Sequence, residues 1–213
     1  MIACTLCAGD SVPFFAEVKG RHYYECATCH LVLMAPDERL GADDERQRYE
    51  THENDPADLR YRAYLQQVSD PLMAVLAPGA RGLDFGSGPG PTLWLMFEEQ
   101  GYPMAIYDPF FAPDTGVLDE TYDFITCTEA AEHFYDPAAE FARFDRLLTP
   151  GGWLGIMTTL REQDRPFDTW QYVRDLTHVC FYEARTMKWI AERHRWALSV
   201  PSKNVAIFRK ALP

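Results

Sequence analysis

The sequence predicts an α/β protein: a mostly parallel sheet covered by helices on both faces, closed by an antiparallel hairpin at the C-terminus and preceded by a small cysteine-rich module. Three observations carry this. Short apolar segments, Gly82-Leu83-Asp84-Phe85, Ala105-Ile106-Tyr107-Asp108, Phe124-Ile125-Thr126-Cys127 and Trp153-Leu154-Gly155-Ile156-Met157, alternate with amphipathic stretches, the pattern of strands buried on both faces. Two C-x-x-C pairs, Cys4/Cys7 and Cys26/Cys29, stand near the N-terminus, eighteen residues apart. The tail reads as two strands, Trp196 to Val200 and Asn204 to Lys210, around a Pro201-Ser202-Lys203 turn.

Element by element, residues 1–36 form a ribbon in which an aromatic hairpin bends at Lys19-Gly20-Arg21 between the cysteine pairs. Residues 37–78 are polar and acidic at first, then helical. Asp55 is expected to cap that helix with Pro56 at its first position, since Tyr61, Tyr64, Leu65 and Val68 follow at helical spacing. Residues 79–213 make the α/β domain. There a helix from Thr92 stops at Gly101, and another, capped by Asp136, carries the apolar stripe Phe141, Phe144 and Leu148 and stops at Thr149-Pro150-Gly151-Gly152.

Composition narrows the function. The 213 residues are 47% hydrophobic, with a net charge of −12 spread along the chain, a field that repels phosphate backbones and disfavours nucleic acid as a partner. No stretch approaches the roughly 20 apolar residues of a membrane span, and Met1 to Gly20 lacks the basic start and apolar run of a secretory signal. A cytoplasmic protein without membrane partners is expected, its oligomeric state open. Cys127 and Cys180 read as inert buried thiols. The paired cysteines suit four-thiolate zinc, which can supply on the order of 10 kcal/mol to a module with little core. Rubredoxin-like iron uses similar ligands, but no redox partner is apparent, which favours zinc.

Leu83-Asp84-Phe85-Gly86-Ser87-Gly88-Pro89-Gly90 follows a buried strand and opens a helix, so side-chain-free backbone can press against a nucleoside-bearing ligand. The third glycine falls one position too early for a dinucleotide fingerprint. This segment resembles motif I of class I S-adenosylmethionine-dependent methyltransferases, and other landmarks follow in family order. Asp108 ends the second strand, Tyr122 to Thr128 leads into Glu129-Ala130-Ala131-Glu132-His133, and Leu147 to Gly152 precedes the last parallel strand. The resemblance implies a Rossmann-like three-layer methyltransferase sheet with S-adenosylmethionine bound along the strand ends. It places Asp84, Gly86, Ser87, Gly88 and Gly90 at the amino-acid end of the cofactor. Asp108 is placed on both ribose hydroxyls, with Pro109 and Phe110, joined by Phe111, covering the cofactor, and Thr128 and Glu129 contacting it. Only Pro109 to Tyr122 separate the second strand from the next, too few for the usual helix and strand together, so this edge of the sheet and the adenine pocket should be abbreviated. A ribbon before such a domain also resembles the order found in a group of sugar C-methyltransferases.

For catalysis, His133 and His178 are candidates to take a proton from the acceptor. His133 could equally serve as a helix-cap or pocket residue, and His178 could be a packed histidine satisfied by Asp175. Tyr172 and Tyr182 could line the substrate pocket, and Tyr49 and His52 could fold over the cofactor or lie on an exposed connector. The acceptor expected is a small or medium-sized molecule. A scaffold that binds the cofactor without turnover, and methylation of protein or RNA, are the alternatives.

Overall fold

The computed structural model describes residues 2–50 and 54–213, arranged around two sheets. The ribbon begins with β1 (Phe14–Val18) and β2 (Arg21–Glu25), antiparallel across Lys19 and Gly20. Both turn residues take positive φ, 52° and 76°, the tight two-residue turn whose twist matches the flanking strands. β3 (Val32–Met34) adds to β2. The two cysteine pairs form matching knuckles. Ala8 N–H donates to the Cys4 carbonyl and His30 N–H to the Cys26 carbonyl, both at 2.9 Å, and Ala8 and His30 both adopt positive φ.

Two helices follow, α1 (Ala42–Tyr49) and α2 (Leu59–Met73). The expected Asp55 cap is displaced by three residues: Asp58 caps α2, its carboxylate accepting from Arg60 N–H at 2.8 Å. Asp55 instead accepts from Ala57 N–H at 2.9 Å, closing a local turn that takes Pro56 out of the helix.

The large sheet is built from β4 (Gly82–Phe85), β5 (Met104–Tyr107), β6 (Tyr122–Thr128) and β7 (Leu148–Met157), all parallel, with α3 (Thr92–Glu98) after β4 and α4 (Pro137–Leu147) before β7. The Asp136 cap of α4 holds, accepting from Ala139 N–H at 3.1 Å. The fourth strand of the small sheet comes from far along the chain: β8 (Cys180–Phe181) pairs with β3. After α5 (Ala184–His194), β9 (Ala197–Ser202) and β10 (Val205–Arg209) complete the large sheet in the order β5-β4-β6-β7-β10-β9, with β10 antiparallel to both neighbours. The closing turn therefore lies at Lys203-Asn204 and not at Pro201-Ser202-Lys203, because β9 is an edge strand, where proline forfeits no ladder hydrogen bond. The opposite edge is β5, and only a short 3-10 turn at Thr115–Asp119 separates it from β6: the sheet is abbreviated there, as the short spacing requires.

Alternating strand residues face two helical layers. Ile125, Cys127, Leu154, Ile156 and Phe208 pack with Phe141 and Phe144 of α4 and Met187 and Ile190 of α5. Phe124, Met157, Val205 and Ile207 pack with Leu65, Val68 and Leu72 of α2 and Met96 and Phe97 of α3. Each fully buried aromatic or leucine contributes about 2 kcal/mol. The first of these cores runs on into the ribbon through Tyr23, Leu31, Val32, Leu33 and Met34. Among the described residues no helix is long and apolar enough to cross a membrane.

Candidate active site

The carboxyl ends of β4, β5 and β6 open into a cavity of about 920 Å³, the place where open α/β sheets bind ligands. All ten residues expected at the cofactor lie on its wall: Asp84, Gly86, Ser87, Gly88 and Gly90 from the β4 loop, Asp108, Pro109 and Phe110 after β5, and Thr128 and Glu129 at the end of β6. His133 and His178 line it as well.

The loop after β4 is built for close approach. Gly86 and Gly88 have φ of +77° and +65°, and a Cβ on Gly86 would stand 2.6 Å from that of Ala130. Gly90 is pressed against the backbone oxygen of Asn54, 2.5 Å from where its Cβ would be. Asp84 is buried, with Oδ1 accepting from the Thr126 hydroxyl at 2.8 Å, and burial lifts its carboxyl to about 6.

Asp108, expected to take the ribose hydroxyls of the cofactor, also accepts hydrogen bonds from backbone. Its Oδ2 accepts from Gly88 N–H at 2.9 Å, and its Oδ1 from Phe110 N–H at 2.8 Å and Phe111 N–H at 3.0 Å. Three of the roughly four acceptor positions of a carboxylate are thus taken by backbone. The side chain braces the glycine loop against the β5 turn and offers one position to a ligand.

Glu129 holds a left-handed backbone, φ +48°, uncommon for a residue with a side chain and typical of functional turns. Its N–H donates to the Met157 carbonyl at 2.7 Å, and its Oε1 accepts from the Tyr64 hydroxyl at 2.9 Å. Burial, reinforced by the neighbouring Glu132 carboxylate, pushes the Glu129 carboxyl well above the usual carboxylate range.

The histidines come from different elements and meet with ring centroids 4.9 Å apart. His133 lies on a 3-10 turn, Ala131–His133, just after β6. His178 does not use the Asp175 carboxylate, which accepts from the Thr177 N–H and hydroxyl instead; its Nδ1 lies 2.7 Å from the Tyr172 carbonyl. Burial, the largest influence, holds His178 below its ordinary value.

Tyr172 lines the cavity, whereas Tyr182 belongs to the core, its hydroxyl donating to the Ala131 carbonyl at 3.0 Å. Tyr49 forms part of the wall, its ring edge-on to His133 and tilted against Phe110. His52 lies outside the described residues. The sequence reading missed Tyr64, Asn54 and, as a separate participant, Glu132. Glu132 stands beside His133 in a quoted motif, but its burial depends on β6, the 3-10 turn and the 171–178 segment closing together.

In the ribbon, the sulfurs of Cys4, Cys7, Cys26 and Cys29 gather within 4.8 Å of one another. Cys4 and Cys29 stand 3.5 Å apart and Cys7 and Cys26 3.4 Å, and none is in a disulfide. Cys127 and Cys180 are fully buried, and burial pushes both thiols up, Cys180 to about 12.

The methyltransferase-domain family profile matches residues 53–198. The chain belongs to that family, and its sheet is the Rossmann-like methyltransferase fold with a C-terminal antiparallel hairpin. Among solved structures it is similar to the 1,6-didemethyltoxoflavin-N1-methyltransferase of Burkholderia thailandensis, at 18% identity and a TM-score of 0.57, over 93% of this chain and 99% of that one. It is also similar to an O-methyltransferase family protein from the same organism, at 15% identity and a TM-score of 0.51, over 79% of this chain and 63% of that one. No curated protein matches significantly.

Proposed function

We propose that this protein transfers the methyl group of S-adenosylmethionine to a small-molecule acceptor. The observation that carries the reading is the opening of the positive-φ glycine loop, the Asp108 turn and the β6 end into one cavity of about 920 Å³. That volume lies at the upper end for single-ligand pockets and leaves room for a cofactor and a second molecule. The didemethyltoxoflavin methyltransferase supports the reading, since its structure holds S-adenosylhomocysteine together with 1,6-didemethyltoxoflavin.

The residues present fit the cofactor. Ser87 Oγ and Thr128 Oγ1, on two strand ends facing the same cavity, are buried without a hydrogen-bond partner among the described residues, as expected of groups reserved for a ligand. The cradle at Gly86 leaves no space for a side chain. Bound there, S-adenosylmethionine supplies an electrophilic methyl group on a sulfonium. The chain's contribution is alignment and desolvation. The Gly86 to Gly90 backbone and Asp84 hold the amino-acid end, Asp108, Pro109 and Phe110 the nucleoside, and Thr128 and Glu129 the region between. His133 and His178, with Glu132, handle the acceptor. Tyr49, Phe134 and Tyr172 supply aromatic wall suited to a small molecule.

The four ribbon cysteines fit a structural zinc ion. Thiolates bound at about 2.3 Å in a tetrahedron stand about 3.8 Å apart, close to the sulfur separations of 3.5 and 3.4 Å.

Titration calorimetry with S-adenosylmethionine and S-adenosylhomocysteine tests the cofactor. Micromolar binding is expected, weakened about tenfold or more by Asp108→Ala through loss of the loop brace and the ligand contact. Absence of binding to the unaltered protein overturns the reading.

A further inference from the structure

Glu132, His133 and His178 each present a ligand atom, and the three atoms lie within 4.8 Å of one another. The backbone enforces this meeting, since Val179 N–H donates to the Glu132 carbonyl at 2.8 Å and so ties the His178 segment to the turn after β6. Both imidazoles are oriented alike. His133 Nδ1 lies 3.0 Å from the Thr177 carbonyl and His178 Nδ1 2.7 Å from that of Tyr172. A carbonyl only accepts, so each Nδ1 carries a proton and Nε2 is the atom left to bind a metal, the orientation in which such outer hydrogen bonds hold metal-ligating histidines.

Glu132 has no exposure to solvent, and neither of its carboxylate oxygens makes a well-formed hydrogen bond among the described residues; the Glu129 carboxyl and the Tyr172 hydroxyl are the polar groups that approach it. Neither neighbour carries a positive charge, so a buried carboxylate there is costly and calls for a cation. Among the described residues on the cavity wall, Arg143 is the only lysine or arginine, and it is paired with Glu140 at 2.5 Å.

We propose that Glu132, His133 and His178 hold a divalent transition-metal ion at the acceptor end of the cavity, and that the acceptor carries an oxygen donor completing its coordination. The second half rests on the methyl-transfer reading. Two imidazoles and one carboxylate suit manganese, iron, cobalt or zinc better than magnesium or calcium. Three protein ligands leave positions open toward the cavity, the arrangement of metal sites that bind and polarise a substrate oxygen. Acceptors with a hydroxyl or carboxylate oxygen beside the methylated atom are therefore selected over purely apolar ones.

The test is titration of the purified, zinc-loaded full chain with Mn²⁺, following loss of the free-ion signal by electron paramagnetic resonance; manganese is chosen because ribbon thiolates bind it poorly. Saturable binding is expected, weakened more than about tenfold by Glu132→Gln and by His178→Gln, with S-adenosylhomocysteine affinity retained in the histidine variant as evidence of folding. No Mn²⁺ binding to the unaltered protein, or binding equal in both variants, overturns the metal site. Loss of cofactor binding with Mn²⁺ binding intact would strike the methyl-transfer reading and leave the metal site standing.

Discussion

Two carboxyls at adjacent strand ends behave differently for local reasons. Both accept one hydroxyl hydrogen bond, from Tyr64 and Thr126, but Glu129 also faces the Glu132 carboxylate, which raises it further above its ordinary value, whereas burial raises Asp84 to about 6. An acid whose folded-state value is raised binds more protons folded than unfolded between the two values, so stability falls as pH rises across that window. For Asp84 the window runs from 3.8 to about 6, and two units correspond to about 3 kcal/mol. Asp84→Asn is therefore expected to flatten the decline in urea stability between about pH 4 and about pH 6. In the unaltered protein, binding of the cofactor's ammonium group should tighten as pH rises through about 6; an identical pH profile in the asparagine variant would refute this role for Asp84. Residue identities were largely legible at this scale. What Asp108 bonds to was not, because its three backbone donors come from two loops that only the folded sheet brings together.

At the scale of elements, local rules succeeded where a signal had one reading and slipped where neighbouring residues competed. Asp136 caps α4 as its position indicates, while α3 ends at Glu98, short of the expected stop, and Gly101 with φ +82° closes the turn that follows. Asp55 and Asp58 are both good caps, and the choice between them is made by the turn that Asp55 closes onto Ala57. Asp58→Ala is expected to lower the melting temperature by about 3 °C and Asp55→Ala by less; the reverse order in a thermal scan would restore the upstream cap. The hairpin turn moved for a different reason. Pro201 looks like turn punctuation, yet an edge strand tolerates it, and strand order is a property of the assembled sheet.

The whole molecule joins ribbon and catalytic domain more closely than two sequence modules suggest. β8, from between β7 and α5, is the fourth strand of the ribbon sheet. Arg161, also beyond β7, donates at 3.1 Å both to Glu25 of β2 and to the buried Glu183 that caps α5. Disrupting the proposed zinc site should thus pull on the shared core. Cys26→Ser is expected to lower one cooperative melting transition by about 5 °C or more, whereas a separate low-temperature transition in calorimetry, with the main one unmoved, would show that the modules unfold independently.

The alternation of apolar strands and amphipathic helices, the glycine loop, the shortened edge after Asp108 and the two cysteine knuckles could be read from the chain, because each depends on spacing, backbone freedom or ligand chemistry among near neighbours. Tertiary structure alone decided which groups face one another: Tyr64 on Glu129, Asn54 against Gly90, and Glu132 beside two histidines forty-five residues apart in the chain. Such contacts arise from the register of parallel strands and from where the connecting segments return, and sequence periodicity carries no information about either.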